Sequence, residues 1–121
     1  MSTTFRSDRA AEAIRMVVAR VLTTEIADPR LSKVTITGCE VSRDLQNAKV
    51  FYTVLGDDIA REDAEQGFAS AASFLRRRVG EEVPSRTVPE IIFRYDRSVD
   101  NAMRLDEILS NLPELKKDSE G

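Results

Sequence analysis

The sequence FASAASFLRRRVG, at residues 68–80, decides the fold because it joins a run of small residues to three consecutive arginines. Apolar side chains recur through it in steps of three and four, the spacing of a helix with one buried stripe. The stripe contains Ala64, Phe68, Ala71, Ala72, Leu75 and Val79. Successive helical residues are rotated by about 100°, so Arg76, Arg77 and Arg78 cannot all face the core. We expect at least two of them to face solvent or an anionic partner.

The composition is ordinary for a soluble globular protein, and it argues against several kinds of site. The chain has 121 residues, enough for one domain with its own core, and a net charge of −3, so RNA binding would need cations segregated on one face. Cys39 is the only cysteine and there is no histidine, which argues against a disulfide framework, a zinc site and histidine-based catalysis. No apolar run approaches the roughly 20 residues of a membrane span, and no signal-peptide core is seen, which predicts a cytoplasmic protein.

The first half of the chain predicts a helix and a hairpin. A helix is expected over residues 7–27, capped by Ser7 and ended by Pro29. A strand follows from Val34, and its apolar alternation changes phase after Gly38, which predicts a bulge there. The polar turn at residues 42–47 leads into a second strand at 48–55 that is apolar on both faces, as in a central strand.

The second half predicts a helix, a strand and a short helix. Asp57 or Asp58 caps the central helix, which ends at Gly80. We explain these aspartates by the helix dipole rather than by a metal site, because nothing nearby completes a coordination shell. A third strand is expected at residues 90–95, and Ser98 caps a last helix that ends before Pro113.

This order of elements predicts one three-stranded mixed sheet with the helices packed on one face. The tight turn makes the first two strands antiparallel, and the crossover of more than thirty residues allows the third to run parallel.

Four sequence blocks, in this order and spacing, resemble the ribosome-binding factor A family, whose members help mature the bacterial small ribosomal subunit. The blocks are EIADPRL at 25–31, VSRDL with AKV at 41–50, VPEIIFRYD at 88–96, and MR at 103–104. The resemblance covers most of the chain, from about Arg20 to Leu112. It implies a KH-like fold of the second type, α-β-β-α-(kink)-α-β, here with a short C-terminal helix.

The resemblance also implies a kink in the central helix at an Ala-x-Gly motif. The matching residues are Ala71, Ala72 and Ser73, so serine stands where the family has glycine. Serine lacks the backbone freedom of glycine, although its hydroxyl can satisfy a backbone group that a bend releases. We therefore expect a kink that is shallower than in the family.

Our leading hypothesis is a non-enzymatic assembly factor that binds small-subunit ribosomal RNA and aids late maturation and rRNA processing. Residues 1–112 would form one RNA-binding domain, and residues 113–121 a polar, mobile tail. Arginine suits phosphate because its planar fork matches the phosphate oxygens. The proposed RNA-binding residues are Arg76, Arg77, Arg78, Arg43, Lys49, Arg94, Arg97, Arg86 and Arg30. Tyr52 and Tyr95 could stack on bases, but strand positions favour a core role.

The alternative is an α+β protein-interaction or dimerisation module without RNA binding, which would dock through a sheet edge. Beyond the small subunit and its RNA we expect no cofactor, no metal, no small-molecule substrate and no membrane partner, and we expect a monomer. An enzyme is disfavoured because the sequence lacks a nucleophile motif and a phosphate-binding glycine loop.

Overall fold

The structure is a computed structural model that describes residues 2–83 and 88–98. Its elements, in chain order, are α1 (Ser2–Thr24), a 3-10 turn (Pro29–Leu31), β1 (Val34–Val41), β2 (Asn47–Val54), α2 (Asp58–Glu82) and β3 (Glu90–Tyr95). Residues 97 and 98 are already helical, and Asp96 Oδ1 accepts from the Ser98 amide at 2.9 Å, so the capping role predicted for Ser98 belongs to Asp96. The rest of the predicted last helix and the polar tail lie outside the described residues.

The three strands form one mixed sheet, as predicted. β2 is the central strand, antiparallel to β1 and parallel to β3. The bounds of β3 are those predicted from the sequence, and β2 begins and ends one residue earlier than expected. The α+β architecture with a mixed three-stranded sheet is therefore confirmed, and it is consistent with the KH-like fold.

The first strand contains the bulge that the change of alternation predicted. Ile36 and Gly38 pair with adjacent residues of β2, so Thr37 is the extra residue. The extra residue resets the phase of the strand. It turns Cys39 toward the helices, where the side chain packs against the core.

One hydrophobic core lies between the two helices and the inner face of the sheet. From α1, Ile14, Val18 and Val21 are at most 1% exposed, and from α2, Leu75 and Val79 are buried to the same degree. Burying these side chains together fixes both helices on the same face of the sheet, since the apolar stripe of each helix has only this surface to cover it.

An aromatic cluster fills the centre of this core. The Phe68 ring lies 4.5 Å from that of Tyr52 and 4.4 Å from that of Phe93, measured between ring centroids. Tyr52 is 5% exposed, so its core role is confirmed and it cannot stack on an RNA base. Tyr95 meets Tyr52 edge to face and carries the Arg61 guanidinium over its ring at 3.8 Å.

The predicted bounds of α1 are wrong at both ends. The helix begins at Ser2, so Ser7 is not a cap and lies buried inside the helix. It ends at Thr24 rather than at residue 27. The hydroxyls of Thr23 and Thr24 donate to the Arg20 carbonyl oxygen, at 3.0 and 2.8 Å. The amides of Glu25 and Ile26 both donate to the Val21 carbonyl oxygen, at 2.9 and 3.2 Å, so the regular helical pattern of hydrogen bonds stops at this turn.

The start of α2 is confirmed and its end is corrected. Asp57 is the N-cap, and its Oδ1 accepts from the Ala60 amide at 3.0 Å. The helix continues past Gly80 to Glu82. A Cβ at Gly80 would lie 2.6 Å from a methyl group of Val88. The glycine thus permits the close approach of the segment that leads into β3, rather than ending the helix.

The helix α2 is unbroken where a kink was expected. Ala71, Ala72 and Ser73 are all helical, within one helix of 25 residues. The chain therefore has one helix where the KH-like order allowed two. A bend of the helix axis at these residues stays a prediction.

Candidate nucleic-acid interface

The three consecutive arginines of α2 have three different environments. Arg76 and Arg77 are exposed, and Arg78 is turned toward α1 with 23% of its side chain exposed. The expectation that at least two of the three would point outward is confirmed. Arg78 is the exception because it faces the end of α1.

Carboxylates surround Arg78. Its Nε donates to Glu25 at 2.9 Å, its Nη1 to Glu81 at 2.7 Å and its Nη2 to Glu82 at 2.8 Å. Hydrogen bonding by Glu25, the largest effect, and by Glu81 raises the pKa of Arg78. Arg20 joins the same cluster through Glu25 and Glu82. Since its guanidinium is shared among three carboxylates, Arg78 has a structural role, and this geometry does not support an RNA contact.

Arg76 and Arg77 line an open groove between α2 and the segment that leads into β3. Its described lining residues are Ser73, Arg76, Arg77 and Val88, and its volume is about 510 Å³. Arg76 donates to the Val88 carbonyl oxygen at 3.3 Å and lies 3.5 Å from Glu90, with 49% of its side chain exposed. Both contacts are made by Nη2, so the Arg76 guanidinium is held at one nitrogen while the side chain stays exposed beside the groove.

Arg77 has no carboxylate partner within the described part of the chain. Its guanidinium carbon lies 5.2 Å from the centroid of the Phe74 ring. A cation over an aromatic face is held in place and keeps most of its hydrogen-bond donors available. Arg77 is therefore the arginine of the triplet best placed to contact an anion.

Arg30 is held inside the turn before β1. Its Nη2 donates to the Asp28 carboxylate at 2.7 Å and its Nε to the same group at 3.1 Å. Asp28 also caps the 3-10 turn by accepting from the Arg30 amide at 2.9 Å, and the pKa of Asp28 is lowered mainly by the Arg30 side chain. Arg30 also reaches Ser70 of α2, at 3.3 Å. The sequence Asp-Pro-Arg-Leu is typical of a capped turn. The contacts of Arg30 within this turn indicate a structural role rather than RNA binding.

The remaining predicted cations do not form one patch with the groove. Lys49 and Arg94 lie on the sheet face opposite the helices, and Arg97 follows β3 at the far end of the sheet from the groove. Arg43 lies in the turn between β1 and β2, at the end of the sheet near the groove, since Gln46 of this turn accepts from the Glu90 amide at 2.8 Å. Arg86 lies outside the described residues.

Cys39 has the properties of a core residue rather than a nucleophile. Burial, more than the charges of Glu40 and Glu12, raises the pKa of its thiol to about 11. The thiol is therefore protonated at neutral pH, and thiol chemistry requires the thiolate.

Two residues of this site were not predicted from the sequence. Val88, which leads into the third strand, lines the groove, and Glu90, the first residue of that strand, binds Arg76. An acid at the first position of an edge strand does not by itself indicate its partner, because the partner lies on a distant helix.

Among residues 2–83 and 88–98, no group of three or more His, Cys, Asp or Glu side chains could hold a metal ion. No described helix is long and apolar enough to cross a membrane.

The fold and the groove define the class of protein: an α+β domain with KH-like order and an arginine-lined groove beside an edge strand. The sequence model of the family described as ribosome-binding factor A matches residues 6–109. The chain belongs to the ribosome-binding factor A family. It is 40% identical over 107 residues to ribosome-binding factor A of Geobacter sulfurreducens, covering 88% of this chain and 91% of the relative.

A crystal structure and a fitted homology model share this fold. The crystal structure of ribosome-binding factor A from Thermus thermophilus matches with a TM-score of 0.65 at 19% identity, over 74% of this chain and 94% of that one. A homology model of the Thermus thermophilus factor, fitted into a cryo-EM map of a 30S complex, matches with a TM-score of 0.58 at 21% identity. That match covers 70% of this chain and 89% of the other.

Proposed function

We propose that this protein binds the small ribosomal subunit by contacting its RNA and that it catalyses no reaction. Membership of a family described as ribosome-binding supports the proposal, as does the 30S complex that was fitted for the Thermus thermophilus factor. Its role would be in late maturation of the subunit and processing of its RNA. The protein would act as a cytoplasmic monomer, with residues 1–112 as the RNA-binding domain and 113–121 as a tail.

The observation that carries the proposal is the contrast among the arginines. Carboxylates hold Arg78 and Arg30 through several hydrogen bonds, whereas Arg77 has no carboxylate partner among the described residues and Arg76 has one weaker contact, with Glu90 at 3.5 Å. Arg76 and Arg77 both line the open groove. Guanidinium groups can bind phosphate oxygens through two parallel hydrogen bonds. We propose Arg76 and Arg77 as the main phosphate contacts, with Arg43 as a neighbour at the same end of the sheet.

Charge reversal in the groove tests this proposal. We expect the double variant Arg76→Glu, Arg77→Glu to lose at least about tenfold in affinity for purified small subunits, because a hydrogen bond to a charged group contributes about 1.5 kcal/mol or more. Co-sedimentation through sucrose gradients measures the loss. The unfolding free energy should stay within about 1 kcal/mol of the wild type, since both side chains are exposed.

The matched control is Lys33→Glu, which reverses an exposed cation just before β1. We expect this variant to bind as the wild type does.

For roughly three to five phosphate contacts, log affinity should fall against log salt with a slope of about −2 to −4.5. Equal losses in the control and the groove variant, or a flat salt response, would contradict phosphate binding at the groove. Self-association without co-sedimentation would favour the interaction-module alternative.

A further inference from the structure

The inner face of β3 is covered less completely than that of the central strand. Three inner-face residues of β2, Ala48, Val50 and Tyr52, are at most 5% exposed, whereas the inner-face residues of β3 are only half-buried. Those of β3 are Ile91, Phe93 and Tyr95. Since β3 lies at the edge of the sheet, no further described strand continues beyond it. An apolar strip therefore runs along the free side of β3.

One side of α2 faces this strip and carries small residues. Two contacts identify that side: the Arg61 guanidinium lies 3.8 Å over the Tyr95 ring, and Arg76 lies 3.5 Å from the carboxylate of the first residue of β3. Ala69 and Ala72 lie between these contacts on the same side, because residues three, four or seven positions apart share a helix face. Ala69 is exposed and Ala72 is half-buried. Small side chains let a second helix approach closely.

The chain that follows β3 carries an apolar stripe of its own. Residues 97 and 98 are helical, and the apolar residues beyond the described part of the chain recur in steps of three and four. They are Ala102, Leu105, Ile108, Leu109 and Leu112. A short amphipathic helix gains most of its stability by packing such a stripe against another element. The segment therefore needs an apolar surface to cover it.

The surface formed by Ala69, Ala72 and the inner-face residues of β3, which we call the β3 flank, has a matching length. β3 has six residues and is about 20 Å long, at about 3.3 Å per residue. A helix over residues 98–112 would be about 22 Å long, at about 1.5 Å per residue. Because it begins just after β3, a helix that runs back beside the strand would end next to the start of β3.

The β3 flank suits this stripe better than the outer face of the sheet does. The outer face carries exposed acids and cations, namely Glu40, Lys49, Glu90 and Arg94. The β3 flank consists of apolar and small residues. Charge is also complementary at one end, since Asp100 lies in the first turn of the segment and Arg61 covers the last residue of β3.

We propose that residues 98–112 form a helix that docks on the β3 flank, with its apolar stripe against the inner face of β3 and the small residues of α2. The helix runs antiparallel to β3, so the polar tail that follows Pro113 begins beside the groove that contains Arg76 and Arg77. RNA bound in that groove would meet the tail, and the docked helix would close the rest of the flank to it. The inference does not require the proposed function, because the contact lies within one chain.

Paramagnetic broadening of methyl signals tests this contact in the full chain. A nitroxide is attached at Ser73→Cys, an exposed residue of α2, and the matched control carries it at Thr35→Cys, exposed on the outer face of the sheet. Both variants also contain Cys39→Ala, so that the label has one site. We expect the label at residue 73 to broaden the methyl signals of Leu109 and Leu112 strongly, and the label at residue 35 to leave them sharp.

A second variant tests whether the apolar stripe holds the segment in place. Leu105→Asp with Ile108→Asp puts charge on the stripe. We expect it to abolish the broadening from the label at residue 73 and to lower the melting temperature by several degrees, since buried apolar surface is lost. Leu115→Asp, which lies beyond the stripe, is the matched control and should change neither measurement.

Sharp Leu109 and Leu112 signals in the presence of the label at residue 73 would overturn the inference, and so would equal broadening from both labels. Broadening in a mixture of nitroxide-bearing chains and separate isotope-labelled chains would show that a second copy covers the flank, which also contradicts the inference. Failure of the proposed function would appear instead as a wild type that does not co-sediment with small subunits, so the two failures are distinguishable.

Discussion

Neighbouring residues of one type can have unrelated roles when the partners come from elsewhere in the chain. Arg76, Arg77 and Arg78 are consecutive, yet Arg78 alone is bound to Glu25, which lies 53 residues earlier. Helical geometry predicts from sequence that two of the three face outward. It cannot predict which one is held, because that depends on how α1 ends beside α2.

Gly67 shows a similar dependence on distant contacts. It lies buried in α2, and a Cβ there would be 2.8 and 2.9 Å from two side-chain carbons of Leu31, in the 3-10 turn. The absent side chain therefore lets the turn dock on the helix. The local sequence pattern does not single out Gly67, since glycine inside a helix is ordinarily unfavourable.

A valine at Gly67 should separate the turn from the helix. We expect Gly67→Val to lower the free energy of unfolding by about 1 to 3 kcal/mol, because buried Leu31 must shift to admit the new side chain. Urea denaturation followed by circular dichroism measures the change. Gly38→Val, on the open face of the sheet, should show no such loss. A stable Gly67→Val protein would mean that the turn does not pack on α2 as described.

The ends of the helices, like the roles of single residues, depend on contacts that the local sequence does not show. Strand bounds and the bulge were predictable because alternation in β1 and β3 reports directly which face is buried. Helix ends were less predictable. At the end of α1 the amides of Glu25 and Ile26 share the Val21 carbonyl oxygen, and α2 continues past Gly80, whose bare backbone packs against Val88. The local pattern of apolar residues indicates neither of these contacts.

An ion-pair cluster joins the C-terminal ends of α1 and α2, and it makes stability depend on pH. The Glu25 pKa is lowered from its ordinary value of 4.5, first by the hydrogen bond from Arg78, with further charge effects of Arg78 and Arg20. A carboxylate whose pKa is depressed in the folded state stabilises the fold above the ordinary pKa. That contribution is lost as the pH falls through the folded-state pKa.

We therefore expect the melting temperature to be nearly constant from neutral pH to about pH 5 and to fall at lower pH. Glu25→Gln should melt several degrees below the wild type at pH 7, and the difference should narrow below the ordinary Glu25 pKa of 4.5. In a double-mutant cycle, the double variant Glu25→Gln, Arg78→Ala should lose less stability than the sum of the losses in the two single variants. A constant difference at every pH, or strict additivity, would show that the pair does not couple the helices.

At the scale of the molecule, the fold was largely predictable and the site only in part. Alternation, turn length and crossover length determine the sheet, and the family blocks agree with it. The nine predicted RNA-binding residues were selected mainly by charge, and the folded chain separates the described ones. Carboxylates hold Arg30 and Arg78, Arg76 and Arg77 line the groove, and the others lie on the sheet or beside its strands. The sequence shows which residues are cationic, whereas the folded surroundings of each side chain decide whether it can bind an anion.

The two halves of α2 differ in charge. Arg76 and Arg77 line the groove beside its C-terminal half. The N-terminal part is acidic, with five acids against one arginine between residues 57 and 65. Such an end would repel RNA and restrict the orientation in which the subunit is bound.

Site-specific crosslinking tests the central claim most directly. A photoreactive benzophenone side chain placed at Ser73, an exposed residue of the groove, should crosslink to small-subunit ribosomal RNA when the full chain is bound to purified subunits. The same group at Glu62, exposed near the acidic start of α2, should give little or no RNA adduct. Equal RNA adducts from both positions, or adducts from Ser73 to ribosomal proteins alone, would contradict an RNA-binding groove at Arg76 and Arg77.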